Sequence, residues 1–474
     1  MIAAGALLGF SSGLVLIVYA AIPELCPYKY RYVLGVWLKD KTLIWHSGLG
    51  LAWIEICILL PWGTLSVFLG NQIVAHSSWR WIYYIAIIYG VVSTAGSIIF
   101  YFPPSRPRHD DEKSRLDQLK ELDYIGFALY TAGLTILLVG LSWAGTAGHA
   151  WRDPSVVAPI VIGAVLFFCC FGYDWFITKQ SRALFPLHLF VRFREYTVSL
   201  VVVFVAGMIF YSMATLLPQA TLYIFTSDHA QIGIIQLTNG LGQTVGATLG
   251  PLILHKTKNI KSHIILALLL QTIGTALYAY ALPAQNKAAW MAFQFFGQGC
   301  FSWLSVCCIM NAGLQVKQSE LGLATGLIGT FRSSGGSLGS AIFSTILTTV
   351  SSKQLVTRIT QAAVANGFDP SHLSQLIPAV HNAALGVPSA FIGVPGASLA
   401  VQNAVLEAFK EAYAYAFARV FYATIPFGII AIIAACFIKD AGQFMTNHTS
   451  VALERDVLDK DIKKEKEGDS GNGV

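Results

Sequence analysis

Eleven apolar runs, each of at least 21 residues, constrain this chain more than any other feature of its sequence. They cover 2–22, 48–70, 81–102, 124–144, 156–178, 196–217, 231–254, 263–283, 288–312, 321–350 and 417–438. The hydrocarbon core of a bilayer is about 30 Å thick, so about 20 apolar residues in a helix cross it. Of the Asp, Glu, Lys and Arg residues, only Glu55, Asp174, Arg332 and Arg419 fall inside the runs. The other charges crowd into the connections, and only 12% of the 474 residues are charged at all, about half the share of a soluble domain. A transmembrane β-barrel would instead alternate over segments of about 10 residues, which a run such as His263 to Pro283 does not. The fold class is all-α: a polytopic transmembrane helical bundle of about eleven spans.

Orientation follows from the basic residues. From residue 23 onward, odd-numbered connections and the tail together hold 23 Lys and Arg, whereas even-numbered ones hold 6. Positive charge marks the cytosolic side, so the C-terminal tail is expected in the cytosol and the N-terminus outside. The net charge of +6 therefore sets topology, and no nucleic-acid partner is expected. All eight cysteines fall in spans or in a connection on the cytosolic side, so no disulfide framework is expected.

The expected layout is three spans over 1–102, a charged cytosolic linker over 103–123 and two central spans over 124–178. Six more spans follow over 179–438, then a cytosolic tail over 439–474. The long external connection 351–416 has amphipathic stretches at Gln354 to Ala365 and Gln402 to Tyr415. Structureless loops of that length are rare, so these stretches are expected to form helices over the outer mouth.

Several spans carry glycines four residues apart: Gly5, Gly9 and Gly13; Gly242, Gly246 and Gly250; Gly322 and Gly326; and Gly335 and Gly339, with Gly336 beside them. Such stripes let helices approach closely, either as fixed seams or as sliding ones. Two G-x-S-x-G matches, around Ser11 and Ser337, lie within apolar helical runs and lack the strand and turn of a nucleophile elbow, so no enzyme activity is expected. The histidines show no metal-ligand spacing, and no metal or cofactor is expected.

An ionised side chain inside a membrane is costly and usually faces a cavity, a partner or the interface. Asp174 and Arg419 lie near span ends and are expected to reach the headgroups. Arg332 sits further inside its span and could pair with a carboxylate or an anionic ligand, and Glu55 is a candidate proton carrier. Uncharged amides complete a candidate substrate lining: Gln236, Asn239, Gln243, Gln271, Gln294, Gln298 and Asn311. Apolar walls with a few amides suit a bulky, neutral or amphipathic organic molecule, although each amide could equally serve an interhelical hydrogen bond.

Certain strings add a resemblance: SSWRWIYYI at 77–85, YFPPS at 101–105, ELDYIGFALYTAGLTILLVGLSWAG at 121–145, LFPLHLF at 184–190, LATGLIGTFRSSGGSLGSAI at 323–342 and MTNHTSVALE at 445–454. Together they resemble fungal major facilitator superfamily transporters. Within the fourteen-helix drug:proton antiporter branch the likeness is greatest to the trichothecene efflux pump group, with siderophore-iron transporters as neighbours. The resemblance implies that the spans correspond to helices four to fourteen of such a bundle, the first three being absent. In the family the next helix carries a Gly/Pro-rich antiporter motif, and residues 38–70, which hold Glu55, depart from that pattern by lacking it. The implied activity is proton-coupled efflux of a hydrophobic toxin or secondary metabolite across the plasma membrane, by a monomer whose partners are its small-molecule substrate, protons and the lipid bilayer. Siderophore-iron:proton symport and a truncated, non-transporting membrane protein are the alternatives.

Overall fold

The computed structural model describes residues 7, 9, 10, 59–100, 120–146, 148–178, 183–282, 286–316, 320–387 and 389–442. Glu55, Gly5, Gly13, most of the linker and most of the tail lie outside them.

After a π-helical turn at Leu59–Thr64, the helices are α1 (Leu65–His76), α2 (Arg80–Phe100), α3 (Tyr124–Trp143), α4 (Pro154–Phe176), the short α5 (Leu187–Val191) and α6 (Val198–Ala220). They continue as α7 (His229–Thr257), α8 (Ile260–Ala281), α9 (Lys287–Gln315), α10 (Leu321–Ala365), α11 (Leu373–Ala384) and α12 (Leu399–Ala435). Among the described residues, seven helical segments are long and apolar enough to cross a membrane: Arg80–Phe100, Tyr124–Trp143, Pro154–Phe176, Phe193–Phe225, Ile260–Ala281, Lys287–Gln315 and Leu399–Ala435. The chain is an all-α polytopic membrane protein. Helices α7 and α10, of 29 and 45 residues, carry most of the amides and hydroxyls discussed below.

Short polar residues at the ends of the apolar runs start these helices. Asp123, Asp153, Asp228, Asn259, Asn286 and Ser398 each accept a hydrogen bond from a backbone N–H in the first turn of α3, α4, α7, α8, α9 and α12. Such caps satisfy amides that the helix leaves without partners. At Asp153 the backbone N–H of Ser155 holds the carboxyl below the usual carboxylate range.

Packing pairs α6 with α10, α7 with α9 and α3 with α4; α12 lies against α10 and α8, and α1 lies against α7. The α3–α4 hairpin closes on glycines. A Cβ at Gly133 would run into the backbone of Phe167, and one at Gly163 into the backbone of Leu137. Gly126, Gly133 and Gly140, seven residues apart on α3, are all buried. The hairpin is fixed to α10 by the hydroxyl pair Tyr130–Ser334 and by Thr345, which donates to the Leu141 carbonyl at 2.9 Å.

Three expectations need correction. Asp174 does not reach the headgroups: it is fully buried, and its carboxylate accepts the Phe185 N–H at 2.7 Å, anchoring the chain after α4. Helix α10 does not stop near residue 350 but runs on to Ala365, and α12 begins at Leu399 rather than 417. The charges at 353 and 358 end the apolar run, but they do not end a helix whose hydrogen bonds are internal. The amphipathic stretches of 351–416 are thus extensions of α10 and α12, with α11 packed between them through Leu376 and Val380, both buried in the same core as Val405 and Phe409.

At the opposite end of the bundle the connections form one polar network. Lys439 pairs with Glu195 at 2.7 Å, Arg192 donates to the Gln315 carbonyl at 3.0 Å, and Asp440 accepts the Lys261 N–H at 3.1 Å.

Candidate substrate path

Helix α7 places its residues by period. Gly240 and Thr244 meet Thr64, whose hydroxyl donates to the Gly240 carbonyl at 2.8 Å and lies 2.7 Å from the Thr244 hydroxyl. Gly242, Gly246 and Gly250 meet α9: a Cβ there would overlap the Phe295 carbonyl, the Gly299 carbonyl and the Trp303 ring respectively. Gln236, Asn239 and Gln243, spaced by three and four residues, share the face between those two contacts. Gln243 donates to Asn239 Oδ1 at 2.8 Å.

Gln236 is 2% exposed and donates to Thr221 Oγ1 at 2.8 Å. Trp290 Nε1 donates to the same oxygen at 3.0 Å, so Thr221, just past the end of α6, joins α7 and α9. Gln294 and Gln298 follow Trp290 at successive turns of α9, 0% and 1% exposed. Neither polar atom of Gln294 has a hydrogen-bond partner, nor do the side-chain carbonyl oxygens of Gln236 and Gln298. Buried polar groups are normally satisfied, and leaving one unmet costs about 1–3 kcal/mol, so such a cluster is suited to a guest with donors and acceptors. All of its groups are neutral.

Arg332 is half-buried on α10. Its Nη1 donates to Ser305 on α9 at 3.0 Å, while its Nε is buried without an acceptor. Its backbone carbonyl lies where a Cβ on Gly207 of α6 would be. The glycines beside it form a seam with α6: Cβ atoms at Gly335, Gly336 and Gly339 would overlap the Phe204 carbonyl, the Tyr211 ring and the Met208 carbonyl. Gly322 and Gly326, with the same spacing, face open space.

Two candidates stand apart from this cluster. Asn311, fully buried near the other end of α9, donates to Ser199 at 3.3 Å, and Gln271 of α8 donates to the Ala206 carbonyl at 3.3 Å. Each thereby ties two helices together, and each also leaves its side-chain carbonyl oxygen buried without a partner. Arg419 is exposed and donates to the Tyr415 hydroxyl at 2.9 Å.

Sequence reasoning missed three features. Thr64 and Thr221 look like ordinary span threonines until their partners are seen. The third is a hydroxyl stripe on α10, Ser337, Ser340, Ser344 and Thr348, which with Ser142 of α3 lines a cavity of about 340 Å³. Its helical spacing was the available signal. Beside it, across Thr345, lies an apolar cavity of about 270 Å³ lined by Leu141, Trp151, Ile342 and Ile346. Among the described residues no group of three His, Cys, Asp or Glu side chains could hold a metal.

The model of a protein family described as the fungal trichothecene efflux pump matches residues 31–473. The trichothecene efflux pump TRI12 of Fusarium sporotrichioides is 25% identical over 434 residues, covering 90% of this chain and 71% of that protein. The MFS-type transporter prx5 of Penicillium rubens is 27% identical over 441 residues, 92% of this chain and 75% of its own. An aspyridones efflux protein of Neocamarosporium betae is 24% identical over 315 residues, 65% of this chain and 55% of its own.

Proposed function

Because this chain belongs to the fungal trichothecene efflux pump family, whose members are multi-pass membrane transporters, we propose that it exports a neutral, oxygenated, largely hydrophobic toxin or secondary metabolite across the plasma membrane in exchange for protons. The observation that carries this reading is the buried amide cluster of Gln236, Gln294 and Gln298. Its three unmet carbonyl oxygens can accept from guest hydroxyl groups and its one unmet donor, Gln294 Nε2, can serve an ester or epoxide oxygen on an otherwise apolar guest, whereas a charged guest would need a countercharge. The hydroxyl-lined cavity between α3 and α10 suits the same chemistry.

Two further observations support the rest of the reading. Arg192, Arg194, Lys258, Lys261 and Lys439 gather at the end where α12 finishes, which favours a cytosolic C-terminus. The carboxyl groups of Asp123 and Asp174 converge on Gly126, where a Cβ would overlap Asp123 Oδ2 and stand 2.8 Å from Asp174 Oδ1. Such a pair is the kind of site that can share and pass on a proton.

The test is reconstitution of the full chain in proteoliposomes with a radiolabelled trichothecene and an imposed pH gradient. Substrate should accumulate on the acidic side, and a protonophore should collapse the accumulation. Equal flux with and without the gradient would refute proton coupling; no protein-dependent flux of any neutral oxygenated terpenoid would refute the substrate class.

A further inference from the structure

A third cavity, of about 350 Å³, opens at the end of the bundle where α10 and α12 extend beyond their spans. Its rim carries Arg358 from α10 with Glu407, Lys410 and Glu411 from α12. Its floor is apolar, made by Ile224 at the end of the α6 segment, Leu282 after α8 and Ala418. Arg358 is held in place: its Nη1 pairs with Glu411 at 3.1 Å, its Nε donates to Gln354 at 3.2 Å, and its guanidinium stands 5.6 Å from the Tyr415 ring centroid. Lys410 pairs with Glu407 at 3.7 Å.

The rim holds two cationic and two anionic side chains. A guest with one charge would leave one rim pair unbalanced, whereas a zwitterion exchanges partners with both pairs at constant net charge. The depth is apolar, so the guest carries hydrocarbon as well. The level also fits: Tyr280, exposed at the end of α8, and Tyr422, exposed one turn beyond Ala418 on α12, match the aromatic residues that mark a membrane–water boundary. Below them Leu277 and Ile273 of α8 and Ile429 of α12 are exposed apolar side chains.

We propose that this cavity binds the headgroup of a zwitterionic phospholipid from the adjoining leaflet. Its phosphate lies between Arg358 and Lys410, its ammonium faces Glu407 and Glu411, and its glycerol and acyl chains pass over Leu282 toward the exposed faces of α8 and α12. The site is independent of the amide cluster. On the orientation proposed above the leaflet is the outer one, but the chemistry is the same for either.

The test is native mass spectrometry of the purified full chain extracted from vesicles with equal phosphatidylcholine and phosphatidylglycerol. The wild type should retain phosphatidylcholine over phosphatidylglycerol by roughly fivefold. The double variant Glu407→Gln/Glu411→Gln keeps both cations and should reverse the preference, an outcome that misfolding would not produce. Equal retention of the two lipids by the wild type, or a double variant with unchanged preference, would overturn the proposal. So would full displacement of the lipid by soluble glycerophosphocholine, which would assign the cavity to a free zwitterion. None of these readouts depends on transport, so the proposed export function stands or falls separately.

Discussion

The hydroxyl of Thr64 donates to the carbonyl oxygen of Gly240, 176 positions further along the chain, at 2.8 Å. The two backbones are so close there that a Cβ on Gly240 would overlap Thr64 Cα. The bond joins the segment leading into α1 to α7, and its removal tests whether those two segments move against each other during transport. Thr64→Val keeps the shape and removes the donor. Folded yield by fluorescence-detected size exclusion should be unchanged while transport rate changes at least severalfold; an unchanged rate would mean that the contact is only structural.

The glycine pairs make a sharper mechanical statement. Gly246→Ala forces a methyl group onto the Gly299 carbonyl and should destabilise the α7–α9 seam by about 1–3 kcal/mol, the usual cost of overpacking. Gly326→Ala meets nothing within 4 Å and should be neutral. Thermal melts of the two variants in one detergent decide the matter.

Thr221 accepts from both Gln236 and Trp290. Thr221→Val would leave two buried donors without an acceptor, at about 1–3 kcal/mol each, and should lower the melting temperature clearly. Thr221→Ser keeps the hydroxyl and should restore most of the loss; a serine variant as weak as the valine one would point to the methyl group instead.

Arg332→Lys keeps the charge but removes the planar fork. Expression should be retained and transport should fall about tenfold, since a lysine cannot both hold Ser305 and present a second fixed donor where Nε now lies. Concentration-dependent flux measurements would show whether apparent affinity or maximal rate carries the loss.

Asp174→Asn preserves an oxygen that can accept the Phe185 N–H, so the anchor after α4 should survive. What it removes is an exchangeable proton beside Asp123. Downhill substrate flux should persist while accumulation driven by a pH gradient disappears, and gradient-driven accumulation at the wild-type level would rule this carboxyl pair out as the coupling site.

Much of this architecture was legible because membrane crossing is written in long uncharged runs, and the helices found from Arg80 onward follow those runs. Their ends were less legible. Charge at Lys353 stops the apolar pattern but not the backbone hydrogen bonding of α10, so the helix outlasts its span. Glycine spacing gave equal signals at Gly322 and at Gly335, yet only the second meets a neighbour, because spacing describes one helix and contact needs two. The amides of α7 and α9 could be nominated by type, but Thr221, which ties Gln236 to Trp290, belongs to a third element and became visible only in three dimensions. The burial of Asp174 was missed for the same reason, its partner lying on the returning chain at Phe185.

The 45 unbroken residues of α10 have a geometric consequence. At 1.5 Å per residue the helix is about 68 Å long, roughly twice the hydrocarbon thickness. From the glycine seam at Gly335 to Ala365 the arm is about 45 Å, so a tilt of about 10° at the seam sweeps its tip by about 8 Å. Any rotation of α10 about Arg332 and its glycines would therefore be magnified at the far end, and because Ile359 and Ala363 are buried there in the same core as Val405 and Phe409, the extension of α12 would have to move with it.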